Sequence, residues 1–441
     1  MIALEGLDRV YGDASKTGAR NAIGGKRNDM TRDRIIEHID NLILCSLCVL
    51  VFFLPIAHTE SIRSFSMGIP AGLWIIKSIL SRRFLFAPTP VGLPILLFTL
   101  VAGISVLTAV DPRYSLEEFI GDWLTGLFLF YLTVNNVRQD QMKYILGSLL
   151  LGNMVMVTYG LYDFFRAGGQ FFNYQIRAKS LHSGFGTFST YLVTAIPYLL
   201  TAFFLIERPL QRGLLLFLLA LNYSCLYLTH SRGAWIPGAL LLLFAGWKFT
   251  SRNVFLPILL AAGVCVLMLS PPNLFWHTTP VRGPGAPAGK IETANVRWEA
   301  VKFSLNQVAE HPFRMIGFGR RSFVKEFQDF YSKYEGSLIW HAHNTFLNLA
   351  LQTGIQGLAI FCLLLYGLIK YFYVGAKQEE PVQLLFFNQA TLWMIIAFFL
   401  RNLSDDFFVD DSALLFWFLV GAGMAIDKRF KVNAAAGSTG Q

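Results

Sequence analysis

Two histidines, His341 and His343, stand in 339-IWHAHNTFLNLALQTG-354, directly ahead of an apolar run. Histidines so spaced can ligate a metal, anchor a helix at a membrane interface, or move a proton. Asn344 suits the N-cap of the helix that follows, and Gly354 its C-terminal stop. His343 then precedes a helix N-terminus, where the positive end of the dipole favours an uncharged imidazole able to accept a proton. A zinc site usually needs a further ligand. The candidates are His277, Glu310, His311 and Asp329, at no recognisable spacing.

The second group is cationic. Arg232 sits in the short turn of 226-LYLTHSRGAWIPG-238, and Arg297 on a helix-like segment at 293–310. Arg320 and Arg321 follow Gly317-Phe318-Gly319. Taken singly, each reads equally as a solvated charge or a side chain snorkelling to the headgroups. Gathered above one membrane face, they suit a lipid diphosphate, because guanidinium binds phosphate oxygens bidentately. The Gly-Phe-Gly turn either adds backbone N–H donors to such a site or merely redirects the chain. In 401-RNLSDDFFVDDS-412 the carboxylates of Asp405, Asp406, Asp410 and Asp411 have several possible uses. They hold an acceptor's hydroxyls, orient a histidine, pair with the arginines, or are simply solvated.

The elements that must position these groups are membrane helices. Of the 441 residues 54% are hydrophobic and 15% charged, and apolar runs of roughly 16 to 22 residues recur, near the length that crosses a bilayer. The expected fold is an all-α polytopic membrane protein, and a soluble fold is excluded. About twelve spans are expected, near 41–57, 65–80, 91–110, 119–134, 144–165, 185–206, 213–229, 234–247, 254–270, 355–373, 383–400 and 413–426. The first reads as an uncleaved span rather than a signal peptide. Lys and Arg concentrate in the N-terminal tail and in the connections after even-numbered spans, which places both termini in the cytoplasm. The formal net charge of +9 thus belongs to membrane topology, and no nucleic-acid partner is expected. Cys45, Cys48, Cys225, Cys265 and Cys362 fall in apolar runs and suggest no disulfide framework.

The organisation follows. Residues 1–40 form a basic cytoplasmic tail, 41–270 the first nine spans, and 271–343 a long loop on the opposite, periplasmic side. Residues 344–426 form a helix at that face and the last three spans, and 427–441 a second tail. The loop opens with a Pro/Gly-rich linker and then forms a helix over about 293–310, with Val296, Ala300 and Phe303 on one face. A secondary transporter is the rival from another class. Transporters usually show repeat symmetry and midplane charges, whereas no repeat is visible here. Lys77 and Asp122 are the exceptions among charges otherwise kept to span ends.

The order LTHSRGAWIPG (228–238), NVRWEA (295–300), EHPFRMIGFGRRSF (310–323), HAHNTFLNLALQTGIQG (341–357) and RNLSDD (401–406) resembles the O-antigen ligase/polymerase family of bacterial envelope proteins. The likeness covers roughly residues 185–426. It implies the C-type glycosyltransferase fold and inverting transfer, without a metal or other cofactor, at the periplasmic face of the inner membrane. In the ligase, O-antigen passes from undecaprenyl diphosphate to lipid A–core oligosaccharide, making lipopolysaccharide; membrane lipids surround the site. A polymerase joining repeat units, or a protein O-oligosaccharyltransferase, is the alternative within the family. The single large late loop favours the ligase. Carried over, the catalytic residues are His343, Arg232 and Arg297. Arg320, Arg321, His341, Asn344 and one of Asp405 or Asp406 are expected to bind substrate.

Overall fold

The computed structural model describes residues 26–82, 87–171, 175–249, 278–280, 290–332, 339–377 and 382–426. The expected span at 254–270, most of the Pro/Gly-rich linker with His277, and the tails before residue 26 and after 426 lie outside them.

The described chain is helical apart from one antiparallel ribbon, in which β1 (Thr278–Pro280) pairs with β2 (Lys290–Glu292). The first half forms α1 (Lys26–Phe53), α2 (Glu60–Leu80), α3 (Gly92–Leu107), α4 (Pro112–Glu118), α5 (Thr125–Asn136) and α6 (Met142–Arg166). Then come α7 (Phe185–Leu205), α8 (Pro209–Leu228) and α9 (Arg232–Phe249). The long loop contributes α10 (Thr293–Glu310), α11 (Ser322–Glu326) and α12 (Gln328–Ser332). The chain closes with α13 (Thr345–Gly375), α14 (Val382–Asn402) and α15 (Asp410–Ala425).

Among the described residues, 6 helices are long and apolar enough to cross a bilayer: those at 32–53, 139–166, 185–205, 209–228, 345–375 and 384–402. Other expected spans coincide with shorter or more charged helices. α3 is apolar but has 16 residues, and α2 carries Glu60, Arg63 and Lys77. The run expected at 119–134 begins with a π-helical turn, Phe119–Leu124, before α5.

α7 and α14 form the buried centre. Every side chain from Phe188 to Ala202 is buried, so the hydroxyls on α7 need partners away from water. Thr190, Thr194 and Thr201 bond the carbonyls of Gly186, Thr190 and Pro197, one turn back in their own helix. Tyr198 meets Thr391 of α14 at 3.0 Å. α15 lies against α5, with Trp417 pressed onto Gly126.

Two backbone features build the end of the bundle that carries the long loop. Gly354 adopts φ 71° and splits α13 into limbs over 345–353 and 355–375, as its expected role as a helix stop requires. Gly317 and Gly319 have φ of 101° and 108°, and a Cβ on Gly319 would run into Glu118 and Tyr114. The Gly-Phe-Gly turn therefore redirects the chain and docks the loop on α4. Phe318 meets Phe119 edge to face at 5.8 Å.

The loop has a small core of its own, built from Ala300, Ile316, Phe323, Phe327, Ile339, Ala342 and Leu351. Phe303 of α10 stacks on Phe330 at 4.1 Å, which confirms the Ala300/Phe303 face; the Val296 side chain is outside the description. Since Ile339 and Ala342 belong to this core, the irregular segment holding the two histidines is pinned between the loop and the first limb of α13.

Candidate functional site

The Asn344 side chain accepts from the backbone N–H of Leu347 at 3.1 Å and caps α13, while its amide donates to the Leu403 carbonyl at 2.9 Å. Both ends of this side chain are thus engaged in tying the histidine segment to the α14–α15 loop. Directly before it, His343 takes a positive φ of 52°, a sharp turn that folds its ring back beside that of His341, 4.4 Å away between centroids.

Both rings face Asp405. His343 Nδ1 lies 3.3 Å from Asp405 Oδ1 and His341 Nε2 3.5 Å from the same oxygen. The backbone N–H of His343 donates to His341 Nδ1 at 3.0 Å, so the proton of a neutral His341 sits on Nε2, toward the carboxylate. If His343 donates its Nδ1–H to Asp405, its Nε2 is left as the basic nitrogen. Asp405 Oδ1 also accepts the backbone N–H of Asp406 at 3.0 Å.

Burial opposes ionisation of Asp405. The hydrogen bond to His343 and the charges of Arg297 and Arg401 outweigh it, and hold the carboxyl well below the usual carboxylate range. Burial, joined by the nearby His343, pushes His341 well below the ordinary imidazole value.

Two guanidiniums, Arg297 and Arg401, act on this carboxylate, and two more, Arg232 and Arg177, adjoin them. Arg297, on α10, places Nη2 3.5 Å from Asp405 Oδ2. Arg401, at the end of α14, is buried, donates to Ser404 Oγ at 2.9 Å and lies 4.5 Å over the Phe407 ring. Arg232 opens α9 after a left-handed His230, φ 49°. Gly233 beside it lets α9 approach the loop, because a Cβ there would strike Ser404 Oγ. Arg177 donates to the carbonyls of Thr229 and His230 at 2.9 and 2.8 Å, bracing the turn before Arg232. Burial, reinforced by the charges of Arg297, Arg232 and Arg401, pulls Arg177 down to about 10. Arg177 thus feels three other guanidiniums, two of which, Arg297 and Arg401, also act on the buried Asp405.

The remaining expected residues divide. Asp406 faces away from the histidines; it accepts from Thr345 Oγ1 at 2.7 Å and from Asn348 Nδ2, which fastens the first limb of α13. Between the two carboxylates, Asp405 is the one brought to the site. Arg320 donates to the Asp406 carbonyl at 3.1 Å and lies 3.5 Å from Asp410. Arg321 is exposed, and its backbone N–H donates to the Tyr114 hydroxyl at 3.0 Å.

Sequence reasoning missed Arg177 and Arg401. Arg401 is the first letter of the quoted RNLSDD, and the loop holding Arg177 carries no pattern that marks it. It also left the metal-ligand set incomplete, and the structure completes it. Ligand atoms of His341, His343 and Asp405 lie within 4.8 Å of one another, a donor set that fits zinc chemistry.

Residues 214–362 match the family described as O-antigen ligase. The match begins in α8, spans the long loop and ends in the second limb of α13. It includes Arg232, Arg297 and His343, and stops before Arg401 and Asp405. No curated protein matches this chain.

Proposed function

We propose that this chain, which carries the O-antigen ligase family domain at residues 214–362, is the ligase itself. It moves O-antigen polysaccharide from undecaprenyl diphosphate to lipid A–core oligosaccharide during lipopolysaccharide biosynthesis. The observation that supports this most is the convergence of His343, Arg297 and Arg401 on Asp405, with Arg177 and Arg232 adjoining. A base held by a carboxylate and a gathering of guanidiniums are what this reaction needs in one place.

In the proposed step, an acceptor hydroxyl oxygen attacks the anomeric carbon of the donor sugar from the side opposite the diphosphate. The new C–O bond forms as the bond to the phosphate oxygen breaks, inverting the centre. The hydroxyl proton passes to His343 Nε2, while Asp405 holds Nδ1 and stabilises the imidazolium that results. A positioned base of this kind contributes about 10²–10⁴-fold. The electron pair leaves with the lipid diphosphate, and Arg232, Arg297, Arg401 and Arg177 face the charge that develops there. The energy is supplied by the diphosphate linkage of the donor.

The same reading sets the protein in the bacterial inner membrane as a multi-pass chain of about twelve spans, with both termini cytoplasmic, on the positive-inside distribution of Lys and Arg. The histidine–arginine centre then faces the periplasm, where membrane lipids deliver both substrates.

A second reading has one observation in its favour, the His341–His343–Asp405 donor set. Its difficulty is electrostatic, because a divalent cation there would sit beside Arg297, 3.5 Å from Asp405. One assay addresses both readings, using purified protein, lipid-linked O-antigen and lipid A–core. The ligase attaches whole chains with a chelator present. Stepwise lengthening of the lipid-linked chain would identify a polymerase instead, and activity lost to chelator and restored by zinc would establish the metal.

A further inference from the structure

A cavity of about 220 Å³, bordered by Phe407, lies between the start of α2, the segment before α7 and the start of α15. The reaction described above gives it no role. Its wall includes Glu60, Arg63, His182, Ser183, Arg320, Asp410 and Asp411.

The charges of this wall lean to the opposite sign from those around Asp405. Arg63 pairs with Glu60 at 3.3 Å and with Asp411, and Arg320 lies 3.5 Å from Asp410. Three carboxylates against two guanidiniums offer no excess positive charge for a phosphate. They do offer a dense set of acceptors for hydroxyl groups. Phe407 supplies an apolar platform, and the backbone makes room for it: a Cβ on Gly186 would stand 2.5 Å from the Phe407 ring. His182 also borders the wall, with its Nε2 shut off from the cavity as from solvent, and burial holds this ring uncharged, down to about 3. Phe407 follows Asp405 and Asp406 directly in the chain, so an occupant of the cavity sits beside the transfer centre.

Resting on the transferase reading, we propose that this cavity is a saccharide subsite, seating an uncharged, hydroxyl-rich sugar next to the bond being made. The carboxylates accept its hydroxyls and Phe407 underlies its C–H face. The sugar comes from the core acceptor or from the first residue of the donor chain, and kinetics separates the two.

Ser183 is exposed at the wall, so Ser183→Trp fills the cavity without displacing core, and Ser183→Ala is its control. With the full chain, lipid-linked O-antigen and lipid A–core are varied in turn. Ser183→Trp is expected to raise the KM for one of them about tenfold or more, the scale of a lost pocket contact. Ser183→Ala leaves both unchanged, and Glu60→Gln raises the same KM by a smaller factor. A rise for lipid A–core assigns the acceptor sugar, and a rise for the lipid-linked chain assigns the donor sugar. Unchanged KM values for both substrates in Ser183→Trp and Glu60→Gln overturn the proposal. Saturation-transfer NMR with lipid-free core oligosaccharide and lipid-free O-antigen separates this result from the fate of the transferase reading. Equal signals from wild type and Ser183→Trp sink the cavity while the ligase stands. Signals lost only in Ser183→Trp support the cavity even if His343→Ala were to transfer normally.

Discussion

Two of the charged clusters among the described residues lie toward opposite ends of α2. Near its C-terminal end, Lys77 of α2 meets Asp40 of α1 and lies 3.4 Å from Asn136 Oδ1 of α5. Glu60 opens the same helix beside the saccharide cavity, about 26 Å away at 1.5 Å per residue. The Lys77 cluster is balanced, one cation to one anion with an amide to complete it, and it ties three helices together. At the other end, Arg297 and Arg401 act on Asp405, with Arg177 and Arg232 adjoining. Balanced charge is a fastening. An excess of one sign is costly and suits a ligand of the other sign.

The contrast is broken most directly at the base. His343→Ala is expected to reduce transfer by about 10²–10⁴-fold with the purified protein unchanged in size-exclusion profile. A variant that transfers at the wild-type rate would remove His343 from the reaction.

At the opposite end the loss should fall on stability. Asp40→Leu alone strands the Lys77 charge and is expected to cost about 3–5 kcal/mol, whereas Asp40→Leu with Lys77→Met is close to neutral. Denaturant titration of the detergent-solubilised protein measures both, and the double variant should transfer normally.

Within the surplus cluster, Arg297→Gln or Arg401→Gln is expected to lower turnover by about 10²-fold, as loss of one transition-state donor does. Gly233→Ala pushes on Ser404 and so displaces Arg401. A displacement rather than a deletion predicts a loss of about tenfold, read in the same assay.

The smallest effect concerns His182. Folded, it resists protonation down to about 3, while in the unfolded chain it takes up a proton near the ordinary value of about 6.5. Its contribution to stability is therefore present above about pH 6.5 and falls as the pH drops toward the folded value. Melting midpoints between pH 7 and 5 should decline less steeply in His182→Gln than in wild type.

Much of the scaffold was legible because crossing a bilayer imposes a length. Wherever an expected span falls on described residues, a helix stands there, within a few residues of the reading except at α1, which begins at Lys26 inside the expected tail and not near residue 41. Gly354 was legible as a break because its conformation excludes other side chains, and Asn344 as a cap because capping is local chemistry. The convergence was not legible. Arg177 reaches the site from a loop more than 200 residues before Asp405 in sequence, and only packing brings them together. Asp405 and Asp406 are chemically alike, and the choice between them depends on which way consecutive side chains point. Arg401 closes an apolar helix, where a sequence reading takes it for an interfacial anchor. The third partner of the histidine pair came from the last loop, not from the residues near it in sequence.

The central claim is that the arginine cluster is built for the donor's diphosphate and His343 for the proton. The direct measurement is binding of undecaprenyl diphosphate to purified wild type, to His343→Ala and to the Arg297→Gln/Arg401→Gln double variant. His343→Ala should bind as wild type does while transferring about 10²–10⁴-fold more slowly, and the double arginine variant should bind at least about tenfold more weakly, the loss of roughly one charged hydrogen bond. Equal affinity in all three would contradict the account.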